Sequence, residues 1–180
     1  MKRSVMATSL AVLVIVAALS LFLALRKPVT GANEVNNSLL GKAAPSLSGP
    51  RLGGGRAINI RRDLGNIVVV NFWASWCGPC KSEAPDLTTF AWQERHRKVD
   101  VVGVVFNDRV SSAESFARYY GSLYPSVIDQ GGEIANRYGV TAPPTTFIIN
   151  ASGVVAATLV GPVSTKQLED AVAEVRASVS

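Results

Sequence analysis

The sequence predicts an α/β fold, a central mixed sheet flanked by helices, preceded by one N-terminal transmembrane helix. Three observations predict it. Residues 4–25 carry no charge and are dominated by Ala, Val, Leu and Ile. Residues 67–74 form a β-branched and aromatic run that passes directly into a stretch with helical spacing. Further apolar runs then alternate with helix-patterned stretches to the C-terminus, the pattern of a sheet covered on both faces.

The uncharged N-terminal run is 22 residues long. At about 1.5 Å per residue such a helix crosses the roughly 30 Å hydrocarbon layer, whereas the apolar core of a cleaved signal peptide usually holds about 7 to 15 residues. Length therefore favours an anchor over residues 1–27. The alternative is a cleaved signal, with Thr30-Gly31-Ala32 as its small-residue site. Either reading exports the remainder of the chain. Lys2 and Arg3 on one flank are matched by Arg26 and Lys27 on the other, so the positive-inside bias does not choose an orientation. The net charge of +5 belongs to this end: setting those four residues aside leaves 14 basic residues against 13 acidic ones. No basic run with interleaved aromatics follows, and nucleic-acid binding is set aside.

Residues 28–38, with Pro28, Gly31, Asn36 and Asn37, read as a linker, and 39–180 as one globular domain. Residues 57–60 alternate weakly, like a short edge strand. Residues 67–74 read as the central strand, and 81–97 as a helix with Ala84, Leu87, Phe90 and Ala91 on one face. Pro85 is expected to kink that helix, because it removes an amide donor and crowds the carbonyl four residues back. Residues 99–106 form the next strand. Ser111 and Glu114 match a capping box opening a helix through residue 120. A strand at 126–129, a turn at 130–132 and a short helix at 133–138 precede Pro143-Pro144. A hairpin of 145–149 and 154–159 follows. Ser164 and Gln167 cap a last helix burying Leu168, Ala171, Val172 and Val175. Gly53-Gly54-Gly55 lacks the Lys-Ser/Thr and following helix of a phosphate loop and reads as a flexible loop.

The chain has two cysteines, three positions apart at the strand-to-helix junction: Cys77-Gly78-Pro79-Cys80. As a brace, a bridge closing so short a loop contributes only about 2 kcal/mol by the chain-entropy model. A structural zinc site needs four ligands, and the chain offers two thiols and one histidine, His96. Haem attachment needs His directly after the second Cys, where Lys81 stands. Reversible dithiol-disulfide chemistry is what remains, with no metal and no cofactor beyond the disulfide itself. The first turn of a helix presents unsatisfied amide donors and a partial positive charge that stabilise a thiolate, so Cys77 is the expected nucleophile. Cys80, one turn further in and more shielded, resolves the mixed disulfide. Pro79 pre-sets the turn and Gly78 admits close approach of a substrate.

The run from Val70 to Lys81, the segment from Pro144 to Phe147 and the hairpin and helix that follow resemble the thioredoxin superfamily over residues 39–178. Within it the chain looks most like the membrane-tethered TlpA/ResA/DsbE group of extracytoplasmic oxidoreductases. The N-terminal apolar helix, the segment 40–45, Asn71, and Lys81 to Glu83 point there. The resemblance implies a thioredoxin fold and a dithiol that reduces protein disulfides, apocytochrome c among them, re-reduced by a membrane electron donor. It implies a single-pass membrane protein with the catalytic domain outside. Thioredoxin has a buried Asp where this chain has Asn71, so the proton acceptor must come from elsewhere. Glu83 matches the group's acidic residue three positions after the second Cys and would hold or relay the proton of Cys80; the alternative is an ordinary first-turn acid favourable to the helix dipole. Trp76 matches the aromatic residue before the nucleophile, supporting the site, contacting substrate or simply packing. Pro144 matches the family's cis-proline, beside which a substrate peptide pairs in extended form, and Pro143 departs from the usual aliphatic residue and removes a backbone donor. Phe147 and Tyr119, Tyr120, Tyr124 and Tyr138 are expected in packing roles.

Other activities carry less. The Gly-Pro dipeptide matches thioredoxin, near about −270 mV on the reducing side of the scale, which favours a reductase over a disulfide oxidase or isomerase. A thiol peroxidase would place Thr three residues before its cysteine, where Ala74 stands. A binding module without turnover would have no need of both cysteines.

Overall fold

The structure, a computed structural model, describes residues 33–34, 38–63, 65–122 and 124–178. All of them fall in one compact unit, Gly31–Ser180. The expected membrane segment, 1–27, lies outside the described residues. Among those described, no helix is long and apolar enough to cross a membrane.

Two runs of β-branched residues make the centre of the sheet. Strand β4 (Ile67–Trp73) is buried along its whole length. On one side it pairs in parallel with β5 (Val99–Phe106), and β5 in turn with β6 (Ser126–Asp129). On its other side it pairs antiparallel with β7 (Thr145–Ile149), which pairs antiparallel with β8 (Val155–Val160). The parallel crossovers are made by α1 (Gly78–Glu94) and α2 (Val110–Tyr119). A strand buried on both faces reads as a continuous apolar run rather than an alternation, as 67–73 does. The expected mixed sheet flanked by helices is thus the observed one.

The period of two along β4 sorts its side chains. Ile67 and Val69 pack with Leu87 and Phe90 of α1 and with Leu168, Val172 and Val175 of α4 (Thr165–Ser178). Val68, Val70 and Phe72 point the other way, into a cluster with Ile134, Ala135 and Tyr138 of α3 (Glu133–Tyr138) and Phe147 of β7. Each fully buried Leu or Phe contributes about 2 to 3 kcal/mol relative to exposure. Ser164 caps α4 as expected: its N–H donates to Gln167 Oε1 at 2.8 Å, and the Gln167 N–H donates to Ser164 Oγ at 3.3 Å.

Several expectations are corrected. Within the expected linker, Asn33–Glu34 add a short strand, β1, paired antiparallel with β8 at the sheet edge. The short strand expected at 57–60 is narrower, Ile58–Asn59 (β3): it pairs with Ser48–Gly49 (β2) in a separate two-stranded sheet, and Ile60 opens a 3-10 turn. Helix α1 begins at Gly78 rather than 81, because Cys77 itself is the N-cap, and it ends at Glu94. Pro85 lies inside it, as expected. The capping box at Ser111 and Glu114 does not form. The helix starts at Val110, Arg109 is its N-cap without a side-chain bond, and Ser111 lies inside the first turn. The chain turns so sharply after β5, through Asn107 at φ 43°, that Asp108 takes the capping carboxylate's place by accepting the Arg109 N–H at 2.7 Å.

Candidate active site

Strand β4 ends at Trp73 and α1 begins at Gly78, so the four-residue turn 74–77 stands at the C-terminal edge of the sheet. Cys77 and Cys80 are joined in a disulfide, with their Cα atoms 5.2 Å apart. Cys77 has extended backbone angles as N-cap, and its Sγ accepts the Cys80 N–H at 3.1 Å. That donor, together with the positive end of the helix dipole, is the kind of environment that favours a thiolate. Pro79 occupies the second helical position, where its missing N–H costs nothing. Gly78 and Pro79 are exposed. Cys77 is 4% exposed and Cys80 1%, the order expected of an attacking and a resolving thiol.

Glu83 lies three residues beyond Cys80, on the same face of α1. It is 2% exposed, an unusual burial for a carboxylic acid. Its Oε1 accepts from Asn71 Nδ2 at 2.9 Å and its Oε2 from the Val163 N–H, in the turn between β8 and α4, at 3.0 Å. Burial is the larger influence and raises its pKa from 4.5 to about 7, against the lowering effect of these two donors; the nearby charge of Asp86 adds to the rise. A carboxyl poised there takes up or releases a proton near neutral pH. Because α1 begins at Gly78, Glu83 lies beyond the first turn, where an acid gains little from the helix dipole. Asn71 also donates to Thr146 Oγ1 at 3.0 Å, across the β4–β7 register that sets the two residues opposite each other.

The same register puts Phe72 opposite Thr145, so Pro144 stands at the level of Trp73, at the sheet edge from which the cysteine turn emerges. The Pro143–Pro144 bond is cis. Pro144 is buried and Pro143 half-buried; neither has an N–H, and the Pro144 carbonyl accepts from the Gly161 N–H at 3.0 Å. Trp76 is 55% exposed beside the disulfide, its indole N–H donating to the Asn107 carbonyl at 3.0 Å and its ring tilted against Phe106 at 6.3 Å. Trp73, by contrast, is buried and stacks on Phe116 at 4.8 Å in the cluster that holds both cysteines. Tyr138 and Phe147 are core, Tyr124 is buried, Tyr120 is half-buried and Tyr119 is exposed.

Asp108, Thr146 and Val163 escape a reading of the sequence. Asp108 accepts the Ser75 N–H at 2.6 Å and with Asn107 ties the turn 75–76 to the start of α2. An acidic residue at a strand end was the only signal for it. Val163 acts through its backbone and gives none. Among the described residues no group of three or more His, Cys, Asp or Glu is placed to hold a metal ion.

The family model described as the AhpC/TSA family matches residues 40–158. The chain belongs to that family. Within the family it is similar to a thiol-disulfide oxidoreductase ResA of Bacillus thuringiensis subsp. konkukian, 31% identical over 131 residues that cover 73% of this chain and 75% of that one. It is also similar to a thiol:disulfide interchange protein DsbE homolog of Paracoccus denitrificans, 36% identical over 129 residues, 70% of this chain and 69% of the other. Among solved structures, a thiol:disulfide interchange protein DsbE of Chlorobium tepidum superposes with a TM-score of 0.70 at 27% identity, over 76% of this chain and 96% of that one. A secreted disulfide oxidoreductase of Mycobacterium tuberculosis gives 0.65 at 26%, over 71% and 95%. This AhpC/TSA-family chain is a thiol-disulfide oxidoreductase of the ResA/DsbE type with a thioredoxin-like fold.

Proposed function

We propose that the protein is an extracytoplasmic reductant of protein disulfides, anchored by residues 1–27, with apocytochrome c among its substrates and a membrane donor returning its electrons. The observation that carries the reading is the placement of Cys77 at the N-cap of α1, its sulfur on the Cys80 N–H, with buried Glu83 one turn beyond Cys80. The Cys77 thiolate attacks one sulfur of the substrate disulfide. That S–S bond breaks, and the departing substrate sulfur leaves as a thiolate that takes a proton from water. The Cys80 thiol gives its proton to the Glu83 carboxylate and attacks Cys77 Sγ, closing the disulfide seen here and releasing the second substrate sulfur as a thiolate, which likewise takes a proton from water. Two electrons have then passed from protein to substrate. The Gly78-Pro79 dipeptide supports the reducing direction, and the length of the uncharged N-terminal run and the secreted relative support the location. A peroxidase is not supported: buried Ala74 offers no hydroxyl beside Cys77.

The test uses the full-length protein in detergent with insulin as substrate. Cys77→Ser abolishes reduction, and activity surviving that change defeats the assignment. Cys80→Ser, expressed at native level, holds its partner as a mixed disulfide for mass spectrometry. Cytochrome c precursors among the trapped proteins support the narrow substrate; a broad mixture makes this a general reductase.

A further inference from the structure

The carbonyl oxygen of Asn71 is buried and has no hydrogen-bond partner, although the same side chain makes two bonds through its nitrogen. Asn71 is 0% exposed, on the central strand, between α1 and β7. A buried unpaired acceptor costs about 1 to 3 kcal/mol and calls for an explanation. The identities of its two neighbours supply one. Glu83 Oε1 and Thr146 Oγ1 each accept a hydrogen from Nδ2 now. A protonated Glu83 becomes a donor, and a threonine hydroxyl is donor and acceptor alike. Turning the amide by half a revolution presents Oδ1 to both, accepting two hydrogens where Nδ2 had donated two. One end of the amide is unpaired in either orientation, so the exchange loses no hydrogen bond.

We propose that Asn71 is a positioning residue whose side-chain amide turns over with the protonation state of Glu83, donating to the carboxylate and accepting from the acid. An aspartate at 71 would set a second negative charge against Glu83, and an apolar residue would serve neither state. The inference rests on Glu83 as the proton acceptor of the reaction. The other ionisable groups around Glu83 are Cys80 one turn back, Asp86 on the same helix and Tyr124. Asp86 accepts the Thr165 N–H and hydroxyl at 2.9 and 2.7 Å, and burial keeps the Tyr124 phenol neutral. The Val163 N–H holds Oε2 and leaves Oε1 as the oxygen facing Asn71.

The test is an NMR titration of the reduced full-length protein in micelles, following the Glu83 carboxyl carbon and the Asn71 side-chain amide from about pH 5 to about pH 9. The two are expected to share one midpoint, with the amide protons losing their proximity to Thr146 as Glu83 takes its proton. A carboxyl that titrates beside an unchanged amide overturns the proposal. Asn71→Leu removes the partner of both forms, and because the bond to the charged carboxylate is the stronger of the two, the Glu83 midpoint is expected to rise by up to about one pH unit. A folded variant with an unmoved midpoint counts against it; if the variant does not fold, the unmodified protein still decides. Glu83→Gln, read as the pH profile of insulin reduction, tests the underlying reading separately: an unchanged profile defeats Glu83 as proton acceptor, whatever the amide does.

Discussion

The carboxylate of Asp108 accepts the backbone N–H of Ser75 at 2.6 Å, two residues before Cys77 and across 33 residues of sequence. Its second oxygen takes the Arg109 N–H, and the neighbouring Asn107 carbonyl takes the Trp76 indole, so one short loop fixes both residues ahead of the cysteine. Loosening a reacting group by about 1 Å costs up to about a hundredfold in rate. Asp108→Ala is expected to slow insulin reduction about tenfold while leaving cooperative unfolding intact. Asp108→Asn, which keeps one acceptor oxygen, should fall between. Stopped-flow reduction beside thermal melting checks this, and equal rates in all three proteins would remove Asp108 from the site.

Glu83 predicts how stability depends on pH. Its folded pKa of about 7 lies above the ordinary 4.5, so between those values the folded protein holds a proton that the unfolded chain has released. The contribution is therefore fully present below about pH 4.5 and is lost as pH rises through about 7, up to about 3 kcal/mol in all. Urea unfolding should show the native protein losing stability relative to Glu83→Gln between about pH 5 and about pH 8. A difference that stays constant, or that grows toward acid, is the result against it.

Gly103 sits on β5 opposite Asn71, under Trp73 and Ser126. A Cβ there would meet Ser126 Oγ at 2.2 Å and Trp73 Nε1 at 2.6 Å, and those two atoms are hydrogen-bonded to each other at 3.3 Å. Neither neighbour can withdraw far, because both are buried in the sheet's own layer. Gly103→Ala is expected to destabilise by about 1 to 3 kcal/mol and to shift the fluorescence of Trp73. A melting temperature within error of the native value would show that the contact relaxes freely.

Trp76 presents more than half of its surface beside the disulfide, yet its indole N–H is already used by Asn107. What it offers a substrate is an apolar face. Trp76→Ala is expected to raise KM for insulin about three- to tenfold with little change toward a small disulfide such as oxidised glutathione. An equal loss on both substrates would make Trp76 a support of the cysteine turn instead.

The thiol pair, its strand and its helix were legible in the sequence because their signals are local. A β-branched run buried on both faces and two cysteines one turn apart each act within a few residues. The Ser164–Gln167 cap was legible for the same reason, and the Ser111–Glu114 pattern misled because the chain direction after Asn107, not the motif, set where that helix starts. What surrounds the thiols was decided by tertiary structure alone. Glu83 is three residues from Cys80 in any helix, but the burial that raises its pKa, and the donors that partly offset the rise, Asn71 twelve residues back and the Val163 N–H eighty residues on, come from the closed fold. The acid's chemistry is set by how little water and how many donors reach it, and that is fixed only when β4, α1 and the turn before α4 close over it.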